Sequence, residues 1–274
     1  MSTPGVLTES THSTGCAPFA PAEEAPLLHR PLVLAHRGAR RRAPENTLEA
    51  FAVARALGAD GVELDVRRTR DGALVIHHDP GPAGGPVIVE ADFADLRASV
   101  SSIPTLAEAL DECAGLLVNI EIKNLPWEPD FDADEGVADQ VVALLAERGG
   151  TDRVLVSSFH LPTVDRVRER APQVPTAFLF MMGMDLREVV DLAAARGHAA
   201  VHPDVRALGG PEVGDFVAHA AERGLQVNVW TVNEPADMVR LADLGVHGLV
   251  TDVPDVARVT LGQAGSTTDS ASGT

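Results

Sequence analysis

Short apolar runs alternate with helix-like stretches between about residues 31 and 262 of the chain. Several runs are continuously apolar, as strands are when both faces of their sheet are covered. The predicted strands are 32–36, 61–67, 74–78, 116–123, 153–159, 176–180, 199–205, 226–232 and 248–252. The predicted helices between them are 47–57, 105–113, 136–147, 161–170, 186–196, 211–223 and 235–244. Repeated strand–helix units of this kind predict a parallel sheet.

The number of strands indicates how this sheet is closed. Eight or nine strands within about 230 residues favour an α/β protein with a (β/α)8 TIM barrel over an open sheet. Because segment 74–78 follows segment 61–67 across the turn signal Asp71-Gly72, we interpret it as a hairpin on the second strand and expect a short insertion after it. No Gly-x-Gly-x-x-Gly follows the first strand, which argues against a dinucleotide-binding sheet.

The two ends of the chain differ in composition from this middle part. Residues 1–30 are rich in Ser, Thr, Pro, Ala and Glu, and residues 263–274 are small and polar. Both are predicted to be disordered tails of a barrel domain that covers residues 31–262. The N-terminal segment lacks the pattern of a signal peptide, and no apolar run reaches the roughly 18 residues of a membrane span. These features predict a cytoplasmic protein without a membrane span.

The charge balance restricts the class of partner. Forty acidic residues against 22 basic ones give a net charge of −18, which argues against nucleic-acid binding because that requires clustered Lys and Arg. A small anionic substrate is compatible with this charge where a local cation or a metal offsets the field. The two cysteines, Cys16 and Cys113, exclude a disulfide framework and lack the spacing of a zinc site.

Ionisable side chains collect at the carboxyl ends of the first predicted strands, which is where a TIM barrel has its active site. They are two histidines, three carboxylates and two cations: His36, His78, Glu63, Asp65, Glu121, Arg37 and Lys123. Three carboxylates at strand ends predict a site for one hard divalent cation, Mg²⁺ or Ca²⁺. The histidines are candidates for a general acid and a general base, and the cations supply the local charge that an anion needs.

Each of these residues also has a structural interpretation. Glu63 and Asp65 can lie on a solvated face, a histidine at a strand end is often only a hydrogen-bond partner, and Glu121 with Lys123 can be an ordinary ion pair. The residues around Glu63 and Asp65 are apolar, however, and a carboxylate pair buried there without a cation is costly. Since all these groups fall at the same end of consecutive strands, we favour the functional interpretation. His77 should point away from His78, and we interpret four further histidines as structural or surface residues: His198, His202, His219 and His247.

Taken in order along the chain, these residues resemble the motifs of the glycerophosphodiester phosphodiesterase family. The resemblance covers about residues 31–260 and rests on the ordered set rather than on any one tripeptide. The matching segments are His36-Arg37-Gly38, Pro44-Glu45-Asn46-Thr47, Glu63-Leu64-Asp65, His78-Asp79, Glu121-Ile122-Lys123, Ser157-Ser158-Phe159, Trp230-Thr231-Val232-Asn233-Glu234-Pro235 and Gly248-Leu249-Val250-Thr251-Asp252.

The resemblance implies a TIM barrel that hydrolyses glycerophosphodiesters to glycerol 3-phosphate and an alcohol with one divalent cation. By position it assigns Glu63, Asp65 and Glu121 as metal ligands. It assigns His36 and His78 as the acid/base pair. It assigns Arg37, Lys123 and Trp230 to substrate binding. For Trp230, a place in the core is equally compatible with the sequence. In the family mechanism the neighbouring glycerol hydroxyl attacks phosphorus, and water then opens the cyclic phosphate.

The resemblance also implies that Glu45 and Asn46 order the loop beside His36. Asn46 directly precedes the predicted helix 47–57 and has Glu49 three positions later. That spacing predicts a helix cap with a partial capping box.

One segment departs from the family pattern. Where relatives commonly carry a longer insertion after the His78-Asp79 motif, residues 80–86 are short and rich in Gly and Pro. A short insertion predicts a more open mouth, so cleavage of lysophospholipids, of the lysophospholipase D type, is an alternative function. An exposed apolar rim would favour it, and residues 86–89 form the only apolar run near the insertion. A third hypothesis is a barrel that only binds its ligand, which the intact set of candidate residues argues against.

Overall fold

The computed structural model describes residues 30–267, and within them nine strands form one sheet. The strands are β1 (Leu32–His36), β2 (Gly61–Arg68), β3 (Leu74–Ile76), β4 (Leu117–Ile122), β5 (Val154–Ser158), β6 (Thr176–Phe180), β7 (Ala200–Pro203), β8 (Gln226–Val229) and β9 (Gly248–Thr251). Eight of them are parallel neighbours, and β1 pairs with both β2 and β9, so the sheet closes into a barrel. The strand β3 joins β2 as an antiparallel hairpin. The predicted (β/α)8 barrel and the hairpin are therefore confirmed.

In the described part of the chain, each barrel strand is followed by at least one helix. The helices are α1 (Leu48–Ala56), α2 (Phe93–Ser99), α3 (Leu106–Glu112), α4 (Gly136–Arg148), α5 (Leu161–Arg170), α6 (Leu186–Ala195), α7 (Val213–Glu222), α8 (Pro235–Asp243) and α9 (Pro254–Thr267). Sequence analysis missed α2 and α9. The helix α2 is a short element inside the insertion and packs with β3 over a small core that includes Val75, Ile88 and Leu96. No helix among residues 30–267 combines the length and hydropathy needed to cross a bilayer.

The last helix changes the predicted boundary of the C-terminal tail. Because α9 runs to Thr267, residues 263–267 are helical and do not belong to the irregular tail predicted for 263–274. Once a helix has begun, each added residue gains one hydrogen bond, so a short small and polar segment can extend it. Residues 1–29 and 268–274, which hold most of the two predicted tails, lie outside the described residues.

The interior of the barrel is apolar at its amino-terminal end and polar above it. A small buried cluster of Leu117, Leu155, Ala177 and Ala200 closes the lower end. Two residues further along the same strands the buried side chains become polar, as at Asn119, Ser157 and His202. The two larger apolar clusters hold most of the remaining core residues and include side chains of the surrounding helices. The upper interior is therefore available for chemistry, while the helix layer and the lower end supply stability.

The strand register brings the candidate residues to neighbouring positions. The pairing of β1 with β2 sets His36 opposite Glu63, and the pairing of β2 with β4 sets Asp65 opposite Glu121. Since parallel strands in register present their side chains at the same height, residues far apart in sequence meet at the carboxyl end of the barrel.

At Gly38 the loop after β1 lies so close to α1 that a side chain would not fit, and a substitution there tests the importance of this contact. The φ of Gly38 is +77°, and a Cβ added there would lie 2.7 Å from the Cβ of Ala50. We expect Gly38→Ala to lower the free energy of unfolding by more than the roughly 1–3 kcal/mol of backbone strain alone. The measurement is urea unfolding of both proteins.

The matched control is Gly115→Ala. Gly115 has a φ of +87°, but no atom lies within 4 Å of its added Cβ, so this variant carries the strain without the steric contact. An equal loss of stability in the two variants would show that the contact with α1 is unimportant.

Candidate active site

A cavity of about 370 Å³ opens among the carboxyl ends of the barrel strands. Its wall contains seven of the eight predicted site residues: His36, Arg37, Glu63, His78, Glu121, Lys123 and Trp230. The eighth, Asp65, is only 1% exposed and lies behind the wall. The structure thus brings the predicted residues together at one place.

The three predicted ligand carboxylates form one buried cluster. Glu63, Asp65 and Glu121 each offer an oxygen atom, and these atoms lie within 4.8 Å of one another. The Oε1 atom of Glu63 is buried and accepts no hydrogen bond from the described residues. A set of hard oxygen donors with one oxygen left unpaired fits a divalent cation such as Mg²⁺ or Ca²⁺.

The cluster carries strong electrostatic stress. Burial, together with the neighbouring Asp65 and Glu121 charges, raises the pKa of Glu63 well above its usual range. Burial also raises the pKa of Glu121, while Lys123 opposes that shift. For Asp65 the effect of burial is outweighed by Lys123 and Arg37, which lower its pKa. Three buried carboxylates therefore require more positive charge than two side chains supply, which again fits a bound cation.

Lys123 is the only lysine of the 274 residues, since all other basic side chains are arginines. Its ammonium lies 3.0 Å from Asp65 Oδ1 and 2.5 Å from Glu121 Oε1. Burial lowers the pKa of Lys123, but these carboxylates outweigh that effect and raise it above its usual range. A compact ammonium fits between two close carboxylates where the wide, planar guanidinium of arginine does not.

The loop after β1 holds the carboxylates through two residues with positive φ. Arg37 has a φ of 56°, and its backbone N–H donates to Glu63 Oε2 at 3.1 Å. Asn46 also has a φ of 56°, and its side-chain amide donates to Asp65 Oδ2 at 2.8 Å. Non-glycine residues rarely adopt this conformation, and they cluster at functional sites. The loop thus accepts local strain in order to fix two of the three carboxylates.

The prediction that Asn46 caps the first helix is wrong. Thr47 is the N-cap, because its hydroxyl accepts the backbone N–H of Ala50. The left-handed backbone of Asn46 turns its amide toward Asp65 instead. Glu45 accepts from the Arg37 guanidinium at 2.8 Å, so Glu45 and Asn46 both hold this loop, as the family resemblance implies.

Asp252, at the end of β9, holds the ring of His36 in place. Its Oδ1 lies 2.7 Å from Nδ1 of His36, and its Oδ2 accepts from the Asn233 amide at 2.9 Å. Burial raises the pKa of Asp252, but the hydrogen bond and charge of His36, with the Asn233 amide, lower it to about 2. A permanent carboxylate on Nδ1 leaves Nε2 of His36 to exchange a proton with a substrate.

His78 has a similar arrangement. Its Nδ1 lies 2.7 Å from Oδ1 of Asp79, and its ring lines the cavity. Burial lowers the pKa of His78, and Lys123 and Arg37 act in the same direction against Asp65. His77 is not part of the cavity wall, and its Nδ1 lies 2.9 Å from the carbonyl oxygen of Asp79.

Sequence analysis missed several residues of the site. Asp252 directly follows the barrel strand β9, and the rule that strand ends carry the chemistry would have identified it. His202 was interpreted as structural or surface, but it lies in the cavity wall and is 1% exposed. Burial lowers the pKa of His202 to about 3, so its ring is neutral. Nothing in the local pattern of β7 distinguishes an inward-facing histidine from an outward-facing one.

One part of the cavity wall is apolar. It is formed by Leu125, Trp127, Phe159, Leu179 and Met181 beside the predicted Trp230. Trp127 is 70% exposed and Met181 is 47% exposed, so this wall continues to the rim of the cavity. Residues 79–104, all of them described, contribute nothing to the lining. The apolar rim therefore does not come from residues 86–89 of the insertion, as the sequence had suggested.

Sequence comparison relates the chain to phosphodiesterases. Residues 36–256 match the model of the Glycerophosphoryl diester phosphodiesterase family. The chain is 32% identical over 241 residues to a glycerophosphodiester phosphodiesterase of Caldanaerobacter subterraneus subsp. tengcongensis, covering 82% of this chain and 95% of that protein. It is 30% identical over 247 residues to a glycerophosphodiester phosphodiesterase of Bacillus altitudinis, covering 82% of this chain and 96% of that one.

Solved structures share the fold. A crystal structure of glycerophosphodiester phosphodiesterase from Thermotoga maritima has a TM-score of 0.71 and 27% identity, covering 83% of this chain and 97% of that chain. An Oleispira antarctica phosphodiesterase in complex with the product sn-glycerol-3-phosphate has a TM-score of 0.72 and 23% identity, covering 85% of this chain and 97% of that chain.

The electrostatic balance of the cluster can be tested with Lys123→Met in the presence of EDTA. Removal of the ammonium leaves two buried carboxylates without their nearest cation, and we expect a loss of about 3–5 kcal/mol in the free energy of unfolding at pH 7. Without Lys123 the pKa of these carboxylates rises in the folded state only. A raised folded pKa weakens stability as pH increases, so the loss should shrink as the pH falls from 7 to 5.

Urea unfolding at both pH values measures this effect. The control is Arg70→Met, which removes the cation of an exposed ion pair with Asp92 and should change stability little. A loss that is the same at pH 7 and pH 5 would contradict an electrostatic origin.

Proposed function

The chain belongs to the glycerophosphoryl diester phosphodiesterase family and is a phosphoric diester hydrolase of that type; we propose that it releases glycerol 3-phosphate and an alcohol from glycerophosphodiesters. We propose further that His36 and His78 are its acid/base pair and that one divalent cation binds at Glu63, Asp65 and Glu121. The observation that carries the proposal is the arrangement of the two imidazoles. Each is held by an aspartate at Nδ1 and faces the same cavity beside the three carboxylates.

The donor set supports the proposed metal site. All three ligands are carboxylates, which suits a hard cation such as Mg²⁺ or Ca²⁺. The raised pKa of Glu63, caused by burial and by the neighbouring carboxylates, and its unpaired Oε1 support this site. When bound, the cation supplies charge that stabilises the phosphoryl oxygens in the transition state.

The side chains of this chain supply the other parts of the reaction. Arg37 and Lys123 bring fixed positive charge to the cavity wall, where the phosphate anion is to bind despite the net charge of −18. One histidine takes the proton of the glycerol hydroxyl next to the phosphate as its oxygen attacks phosphorus, and the other protonates the leaving alcohol. Water then attacks the phosphorus of the cyclic phosphate. The P–O bond that the glycerol hydroxyl had formed breaks, which regenerates the hydroxyl and gives glycerol 3-phosphate. Because the attacking hydroxyl belongs to the substrate itself, it is already close to phosphorus. This lowers the entropic part of the activation free energy.

A second candidate activity is the cleavage of lysophospholipids at the same phosphodiester bond. The observation that favours it is the apolar wall from Leu125 to the exposed Trp127 and Met181 at the rim. A lysophospholipid carries an acyl chain that needs an apolar surface outside the phosphate site. The reaction is the same, and the two candidates differ in the group that this wall contacts.

The first test measures release of glycerol 3-phosphate from glycerophosphocholine by the full chain. We expect turnover with Mg²⁺ or Ca²⁺ and none after treatment with EDTA. His36→Ala and His78→Ala should each lower kcat by about 10²–10⁴-fold, the usual contribution of a positioned acid or base. A control variant is His77→Ala, whose ring is not part of the cavity wall and which should retain activity.

Full activity in EDTA would contradict the metal site, and full activity of either histidine variant would contradict its proposed role. Metal binding is measured separately by the rise in melting temperature on adding Mg²⁺ or Ca²⁺. That rise should disappear in Glu63→Gln whether or not a substrate is known.

The second test compares lysophosphatidylcholine with glycerophosphocholine for the wild type and for Trp127→Ala. Loss of an apolar contact to the acyl chain should lower kcat/KM for the lysolipid about tenfold, equivalent to 1.4 kcal/mol. The same variant should leave kcat/KM for glycerophosphocholine nearly unchanged. Failure of the wild type to cleave any lysolipid would reject this second activity without affecting the first.

A further inference from the structure

We propose that Arg67 is a positioning residue for His78, holding the backbone of that histidine and joining it to the loop between β4 and α4. The proposal rests on the acid/base role proposed above for His78. Arg67 continues the alternation of β2 after Glu63 and Asp65, so the three side chains share one face of the strand. Arg67 belongs neither to the carboxylate cluster nor to the acid/base pair, so the proposed function leaves its role open.

Arg67 is a fully buried cation, with 1% of its side chain exposed. A buried charge is tolerated only when it is paired and hydrogen-bonded. Its Nε and Nη2 donate to the carbonyl oxygen of His78 at 2.9 and 2.5 Å. Its Nη1 donates to Asp130 Oδ2 at 2.5 Å, and its Nη2 donates to Glu128 Oε2 at 2.9 Å. One planar guanidinium therefore binds two separate segments of the chain, as its fork of donors allows.

The contact with His78 completes a set of three that fixes this residue. The backbone N–H of the preceding His77 donates to the Asp65 carbonyl oxygen at 2.9 Å. The ring is held at Nδ1 by Asp79, and the carbonyl oxygen is held by Arg67. Without Arg67 the backbone of His78 would lose its anchor on the carboxyl side. A displacement of about 1 Å at a reacting group costs roughly 10²-fold in rate.

The contacts with Glu128 and Asp130 fix the other segment. Both residues belong to the loop between β4 and α4, which also carries the exposed Trp127 of the cavity wall. Asn124 anchors the same loop independently, because its amide oxygen accepts from Asp132 N at 2.8 Å and its amide nitrogen donates to Asp132 O at 3.0 Å. Arg67 thus sets the position of this loop relative to His78 rather than the conformation of the loop itself.

The test is Arg67→Lys in the metal-loaded enzyme, with glycerophosphocholine as substrate. A lysine keeps the charge but cannot reach both segments, so we expect kcat to fall about 10²-fold while KM changes less. The matched control is Arg68→Lys on the opposite face of β2. Arg68 pairs with Asp132 of the same loop at 3.0 Å, and it should keep the kcat of the wild type. An equal fall in kcat for the two variants would overturn the proposal.

A double-mutant cycle separates positioning from general stability. If Arg67 acts through His78, then Arg67→Lys lowers kcat no further in a His78→Ala background. The residual activity of that background is followed with a p-nitrophenyl glycerophosphodiester, whose leaving group needs little protonation. Losses that multiply in the double variant would overturn the proposal. Should Arg67→Lys fail to fold, the same cycle is run with Arg67→Gln combined with Asp130→Asn, which removes the cation together with one of its charged partners.

The outcomes distinguish this inference from the proposed function on which it rests. Full activity of His78→Ala would reject the acid/base role itself and the positioning role with it. Loss of activity in His78→Ala, together with a wild-type kcat in Arg67→Lys, would reject the positioning role alone.

Discussion

The whole site depends on keeping three carboxylates close together and away from water. Side by side in a buried place, Glu63, Asp65 and Glu121 repel one another, and each loses its hydration. The ammonium of Lys123 lies between Asp65 and Glu121, and Asp65 also has the Arg37 guanidinium and the Asn46 amide beside it. Even the left-handed backbone of the loop after β1 is explained by this demand. The neighbouring side chains leave part of the negative charge of the three carboxylates unbalanced, and a divalent cation would balance it.

Strand order and most of the site could be predicted because they follow from local periodicity. Apolar runs give the strands, and the rule that parallel strands end at one face brings their terminal residues together. The contacts between site residues could not be predicted where they join residues that are remote in sequence. The carboxylate on His36 comes from Asp252, 216 residues later. The same holds for Arg67. The sequence shows that it lies on the same face of β2 as Asp65, but its hydrogen bonds to Glu128 and Asp130 are known only from the structure.

Two parts of the cavity wall differ in chemistry. The strands β1, β2 and β4 and the residues that directly follow them supply most of the charged residues of the cavity wall. Another part of the wall is built from the apolar side chains of Leu125, Trp127, Phe159 and Met181. In the proposed reaction the charged part of the wall acts on the phosphate and so determines the type of reaction. The second candidate activity assigns selectivity for the alcohol or acyl group to the apolar part, which can vary without changing the chemistry.

The loops of a TIM barrel are often regarded as separate modules that evolution can replace one at a time. The bonds of Arg67 make two of the loops in this barrel inseparable. A new loop after β4 that lacked Glu128 and Asp130 would leave a buried guanidinium without its carboxylates, and breaking such a pair commonly costs about 3–5 kcal/mol. Replacing Arg67 alone would leave the carboxylates unpaired in turn. Substitutions in β2 and in the distant loop are therefore expected to be coupled, because a change in either segment leaves a buried charge in the other.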